Sequence, residues 1–224
     1  METQGEAVEL SEAEVDARLA GVDLDLLGEQ QYKWFRPTSA AVDEWVDYAQ
    51  RGDDCYYMGL SDIDQKMRGI WPSDVLVVTG RAHSGKSAVV LSSMATNLLQ
   101  NPDFHGVIYT PDEPEILVVS KLFALLYQRN LAEVEDGLRT QDPSVIQEIE
   151  EAKVSFLDRI KIFPNAMSFE HMSEAMRECE DYWQAKAGFV MVDFLEQLPQ
   201  ASGYEGVSKV LKGLKEWSEA EKMP

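Results

Sequence analysis

The run Gly80-Arg81-Ala82-His83-Ser84-Gly85-Lys86-Ser87 carries the most specific chemistry in the 224-residue chain. It reads G-x-x-x-x-G-K-S, the phosphate-cradling P-loop pattern. A glycine at each end lets the backbone wrap tightly, so that several N–H groups point at phosphate oxygens. Lys86 is spaced to reach the outer phosphates, and Ser87 to offer its hydroxyl to Mg²⁺. His83 sits inside the loop and reads as a solvated residue rather than a catalytic one. A glycine turn between a core strand and a core helix would also use two glycines, but it has no need of the Lys86-Ser87 pair.

Two further acidic positions fit the same chemistry. Asp193 ends the apolar run Phe189-Val190-Met191-Val192. A carboxylate there is placed to hold Mg²⁺, directly or through water. Hydrolysis also needs a carboxylate to polarise the attacking water. Asp112 and Glu113 follow the apolar run Gly106–Thr110 and are both candidates. The longer reach of a glutamate favours Glu113, although Pro-Asp-Glu-Pro is also good turn chemistry. Gln197, four residues beyond Asp193, reads as a polar surface residue.

These groups need elements to bring them together. Asp74–Thr79 is short and β-branched and predicts a buried strand leading into the loop. Ala88–Leu99 has helical spacing, and a helix N-terminus at the loop adds positive potential for an anion. Gly106–Thr110, Arg159–Phe163 and Gly188–Asp193 predict three more strands. Between them lie helical segments: one with Ile116, Val119, Leu122, Phe123 and Leu126, two pieces over 131–157 broken near Asp142-Pro143, and Phe169–Ala185 with Met172, Met176 and Tyr182 inward. Glu205–Lys222 predicts a closing helix. Alternating strands and helices imply a parallel sheet covered on both faces, with the ligand at the carboxyl ends of the strands.

The N-terminal part reads differently. Residues 1–9 have no pattern. Val15, Leu19, Val22 and Leu26 follow Ser11 at helical spacing, and Tyr32, Trp34 and Phe35 form an aromatic connector suited to packing. A short helix follows over 40–50. Ser61 is placed to cap one helical turn, with Ile63 and Met67 on its inner face and Gly69 ending it.

Composition limits the alternatives. The net charge is −20, with nine acids and one base in residues 1–30. Such a chain does not hold nucleic acid by charge alone. Two distant cysteines, Cys55 and Cys179, make neither a disulfide framework nor a zinc site and fit a reducing cytoplasm. No apolar run is long enough to span a membrane, and the acidic N-terminus lacks signal-peptide features.

From about Met58 to Pro224 the chain resembles the ATPase domain of DnaB-type replicative helicases, in the RecA-like group of P-loop ATPases. Gly59-Leu60-Ser61-Asp62-Ile63-Asp64, with Gly69-Ile70-Trp71-Pro72-Ser73-Asp74, is similar to the family's turn before the P-loop strand. Tyr109-Thr110-Pro111-Asp112-Glu113 stands where the family has F-S-L-E-M, whose glutamate is the catalytic base. Direct alignment puts Asp112 on that glutamate, and a one-residue gap puts Glu113 there. Arg159-Ile160-Lys161-Ile162 resembles the next strand, and Met191-Val192-Asp193-Phe194-Leu195-Glu196-Gln197-Leu198 resembles V-I-D-Y-L-Q-L.

The resemblance implies a RecA-like α/β P-loop NTPase core over residues 58–224, its parallel sheet flanked by helices. An acidic tail and short N-terminal or linker helices precede it over 1–57. ATP and Mg²⁺ are the implied cofactors. Gly80, Arg81, Ala82, His83, Ser84, Gly85, Lys86, Ser87 and Ala88 would cradle the nucleotide, and Ser87 and Asp193 would serve the metal. Lys86 with Glu113 or Asp112 would be catalytic. The implied activity is ATP hydrolysis coupled to DNA unwinding by a cytoplasmic, phage-like ring protein, acting as a hexamer on single-stranded DNA. A recombinase-like or regulatory ATPase, or a nucleotide-binding partner without motor activity, are the alternatives.

The chain departs from the family in two ways. The strand that follows the closing helix, its γ-phosphate-sensing residue and the arginine finger are not in it, so a companion C-terminal chain or a truncated product is expected. The loop Glu196–Gly206 contains no Lys or Arg, whereas Lys209, Lys212 and Lys215 follow at helical spacing.

Overall fold

Short β-branched runs between helical segments fold here as a parallel sheet with crossover helices. The computed structural model describes residues 41–50, 55–195, 198 and 203–222. The expected N-terminal helix over 11–26, the aromatic connector and most of the loop after Asp193, including Gln197, lie outside the described residues. Residues 41–50 and residues 55–222 fall in two separate units.

The first unit shows helix α1 (Val42–Gln50). Its Val42, Trp45 and Val46 recur at helical spacing and are exposed, Trp45 at 67%.

In the second unit, α2 (Ser61–Met67) is followed by α3 (Lys86–Gln100), β1 (Gly106–Tyr109) and α4 (Glu115–Tyr127). Then come α5 (Leu131–Arg139), α6 (Pro143–Ser155), β2 (Ile160–Phe163), α7 (Phe169–Trp183), β3 (Phe189–Val192) and α8 (Gly203–Glu221). The sheet order is β2–β1–β3, all parallel. Gly106 aligns with Ile160 on one side and Phe189 on the other, and Tyr109 with Phe163 and Val192. All four β1 residues are buried, as expected for a central strand with both faces covered.

Two core clusters lie on opposite faces of the sheet. Ile108 and Met191 pack with Leu91, Met94 and Leu98 of α3 and Leu122 of α4. Val107 and Tyr109 pack with Met172 and Met176 of α7 and Val210 of α8. This alternation follows from the two-residue period of a strand. Arg159 ties the α3 end to the sheet. Its guanidinium donates to the carbonyls of Leu98, Asn101, Pro102, Phe104 and Ser155. One side chain thus satisfies several carbonyls that a helix end leaves without partners.

Four sequence expectations are corrected. Asp74–Thr79 has no regular secondary structure and belongs to no strand ladder among the described residues. Its side chains stay open, with Val75, Leu76 and Val77 exposed at 36%, 39% and 44%. Ser61 does not cap α2. The cap position is Leu60, and the Asp64 carboxylate instead accepts from the backbone N–H of Met58 and Leu60. Ile63 and Met67 are exposed, so this seven-residue helix has no buried inner face. Tyr182 is also exposed, because its hydroxyl reaches out to donate to Asp158 while Met172 and Met176 point inward.

The helix boundaries at 131–157 follow their caps. Asn130 accepts from the Ala132 N–H at the start of α5, and Asp142 accepts from the Ser144 N–H before Pro143 opens α6. The hydrogen bonds from Ser144 hold the Asp142 carboxyl below the usual carboxylate range.

Candidate nucleotide site

The glycine loop enters α3 directly. Gly85 occupies the helix cap with φ 87° and ψ 16°, in the left-handed region. A Cβ added there would meet no atom within 4 Å, so conformation and not space demands glycine at this position. Gly80 is different: a Cβ there would come within 2.6 Å of Ser84 Oγ. The tight turn closes with the Ser84 N–H donating to the Arg81 carbonyl at 3.2 Å.

The helix begins at Lys86, two residues earlier than its apolar spacing predicts. The N–H groups of Lys86, Ser87 and Ala88 therefore fall in the first turn, where no intrahelical acceptor exists. No acidic residue occupies that turn to compete for them. Lys86 folds its ammonium back over the loop, donating to the Gly80 carbonyl at 3.2 Å and the Arg81 carbonyl at 3.1 Å. Arg81, Ala82, His83 and Ser84 are exposed, and Ser87 is half-buried. His83 has φ 58° and is open to solvent, consistent with its reading as a solvated residue.

The carboxylates converge on the same end of the sheet. Asp193 directly follows β3, and its N–H donates to the Tyr109 carbonyl at 2.9 Å. Asp193 and Lys86 line one cavity of about 320 Å³, together with Thr79 and Gly80. Asp112 and Glu113 follow β1, the strand hydrogen-bonded to β3, with the Glu113 N–H turned back to the Thr110 carbonyl. Asp112 is exposed, whereas Glu113 is half-buried and accepts an ion-paired hydrogen bond from Lys121 of α4. Lys121 lies eight residues further along a helix, and sequence spacing carries no signal for it.

The donor set suits a phosphate and a hard cation. Free first-turn N–H groups and an ammonium on a flexible stem match phosphate oxygens. Among the described residues, no three His, Cys, Asp or Glu side chains cluster as a self-sufficient metal cage. The nearby buried groups are structural. Burial pushes the Tyr109 phenol above its usual range, and its hydroxyl donates to the Met172 carbonyl at 2.7 Å. Burial also pushes the Cys179 thiol up, and neither Cys179 nor Cys55 is in a disulfide.

Comparison with known proteins agrees with this geometry. The profile of the DnaB-like helicase C-terminal domain matches residues 57–224. No curated protein matches the chain. Among solved structures, one ATPase domain superposes with a TM-score of 0.67 at 15% identity, covering 83% of this chain and 67% of that one. A DnaB-like replicative helicase, in a structure describing its interactions with primase, superposes with a TM-score of 0.68 at 15% identity. That match covers 94% of this chain and 50% of the helicase, so this chain spans half of that relative's length. At such identity the superpositions establish the fold.

Proposed function

This chain belongs to the DnaB-like helicase C-terminal domain family, and we propose on that footing that it binds ATP with Mg²⁺ and hydrolyses it to drive DNA unwinding. The carrying observation is the glycine loop delivered onto the bare N-terminus of α3, with Lys86 and Asp193 lining one cavity beside it.

The roles follow from position. The loop from Gly80 to Ala88 wraps the phosphates with backbone N–H groups. Lys86 leaves the Gly80 and Arg81 carbonyls, which cost little to release to water, and takes phosphate oxygens instead. Ser87 and Asp193 would hold Mg²⁺, which supplies charge neutralisation at the transferred phosphoryl group. Glu113 polarises the attacking water, and Lys121 holds its carboxylate in place. Asp112, one residue earlier and exposed, is the competing base.

A ring of six copies acting on single-stranded DNA is the assembly proposed for the working enzyme, in a cytoplasmic setting. The exposed apolar stripe of α1 is available for contact between copies. Among the described residues no helix is long and apolar enough to cross a membrane. Lys209 and Lys212 of α8 are the candidate contacts to a DNA backbone. Lys212 pairs with exposed Glu216, a pairing that gives way readily.

Turnover of ATP by purified protein tests the reading. Lys86→Ala is expected to abolish it. Glu113→Gln is expected to lower kcat by roughly a hundredfold or more, with nucleotide binding retained. Asp112→Asn is expected to change kcat by less than about tenfold. The reverse order of the last two would move the base to Asp112.

A further inference from the structure

We propose that the open edge of β2 is a docking groove, which a partner protein fills by adding one short, basic β-strand to the sheet.

The first ground is the edge itself. β2 is an outer strand of the sheet and pairs only with β1 among the described residues. The Phe163 carbonyl accepts from the Thr110 N–H, so it faces β1. Backbone groups alternate sides along a strand, which turns the N–H and C=O of Ile162 away from β1. Ile162 is half-buried, and strand addition satisfies backbone groups in such a place.

The second ground is the pair of walls. α4 flanks the edge with Val119, and α7 flanks it from the other side with Ala175 and Cys179. With β2 as the floor they bound a groove of about 440 Å³. A strand of four residues, matching β2, spans about 13 Å. An edge recessed between two helices admits a single extended segment. It does not admit the equally recessed β2 edge of a second copy.

The third ground is charge, which says what the segment must carry. Glu115 of α4 and Glu178 of α7 both line the groove and are exposed. Neither forms an ion pair among the described residues. They sit toward opposite ends. Glu115 opens α4 at the carboxyl end of the sheet, whereas Glu178 lies one turn before Tyr182, whose hydroxyl donates to Asp158 just ahead of β2. A lysine on an edge strand is a common guard against pairing. Lys161 of β2 does not serve that way. Its Nζ lies 3.3 Å from Asp158 Oδ1 and 4.2 Å from the centroid of the Tyr182 ring, so its charge is already engaged. The groove therefore suits a segment with apolar residues at its centre and lysine or arginine at its ends. A second copy would bring the same two acids and be repelled.

Binding of a capped synthetic peptide, three valines between two lysines, to the full chain tests this. The expected result is saturable binding that slows exchange of the Ile162 amide by about threefold or more and leaves Val190 and Val192 of β3 unchanged. N-methylation of the three valines, which removes strand donors, is expected to weaken binding by about tenfold or more. Replacing the lysines by glutamates should do the same in the wild-type chain. The double variant Glu115→Gln with Glu178→Gln should bind the lysine and glutamate peptides within about threefold of each other. Absence of saturable binding, equal binding of the methylated peptide, or binding without slowed exchange at Ile162 overturns the proposal. Slow exchange at Ile162 in the chain alone also overturns it. If independent of protein concentration, that protection makes a segment of this chain the occupant; if it rises with concentration, a second copy. None of these readouts involves nucleotide, so they separate the groove from the proposed enzyme function.

Discussion

Two β-branched runs of similar composition meet opposite fates in this chain. Gly106–Tyr109 is buried at every residue and hydrogen-bonded on both sides. Val75–Val78 is outside any ladder among the described residues and open to solvent over most of its length. Strand propensity is similar in the two, so it cannot account for the difference. β1 has β2 and β3 as neighbours, α3 and α4 on one face, and α7 and α8 on the other. Segment 74–79 has a helix layer nearby but no paired strand among the described residues. A strand is made by its neighbours, and a sequence run only makes it eligible.

The comparison can be broken by mutation, and the largest effect is expected in β1. Ile108→Ala removes buried side-chain volume between α3 and the sheet, at a cost of about 2–4 kcal/mol. Val77→Ala should change stability by no more than about 0.5 kcal/mol, since the side chain is 44% exposed. Urea unfolding of the two variants reads the contrast directly. Equal costs would mean that segment 74–79 is packed as tightly as β1.

The next effect concerns what anchors the well-built half. Arg159→Met keeps the apolar stem but strands the carbonyls of Leu98, Asn101 and Pro102. A loss of about 2 kcal/mol is expected in the same unfolding assay. A near-neutral result would mean that water replaces the guanidinium there without penalty.

Smaller effects are expected at the loop. Gly85→Ala meets no steric clash but must hold φ 87°, so a cost of about 1–2 kcal/mol should appear as weaker nucleotide binding or lower stability. Lys121→Met should shift stability by less than about 1 kcal/mol, because its pair with Glu113 is partly solvated. Its consequence should fall on kcat, with the Glu113 carboxylate no longer oriented.

How much of this was legible in the sequence differs between the two regions for the same reason. The helices and the strands β1 to β3 follow from periodicity, caps and apolar runs, as with Asp142-Pro143 at the head of α6. The glycine loop ahead of α3 follows from spacing, because its turn and helix start are local. The state of Asp74–Thr79 was not legible: pairing depends on a neighbour distant in sequence. The same holds for Arg159, whose acceptors include carbonyls far back in the chain, and for the pairing of Lys121 with Glu113. Tyr182 and Met67 sit at core-like spacings yet face solvent, because the pattern does not say which face a neighbouring element will cover.

Equilibrium titration with Mg²⁺-ATP tests the central claim most directly, because it needs neither a ring nor DNA. The wild-type chain should show one saturable site. Lys86→Ala should weaken it by about tenfold or more, and Glu113→Gln should leave it within about threefold, since the ammonium and not the base holds the phosphates. Equal affinity in Lys86→Ala and wild type, or no saturable site in either, would contradict the reading of Gly80–Ser87 as a nucleotide cradle.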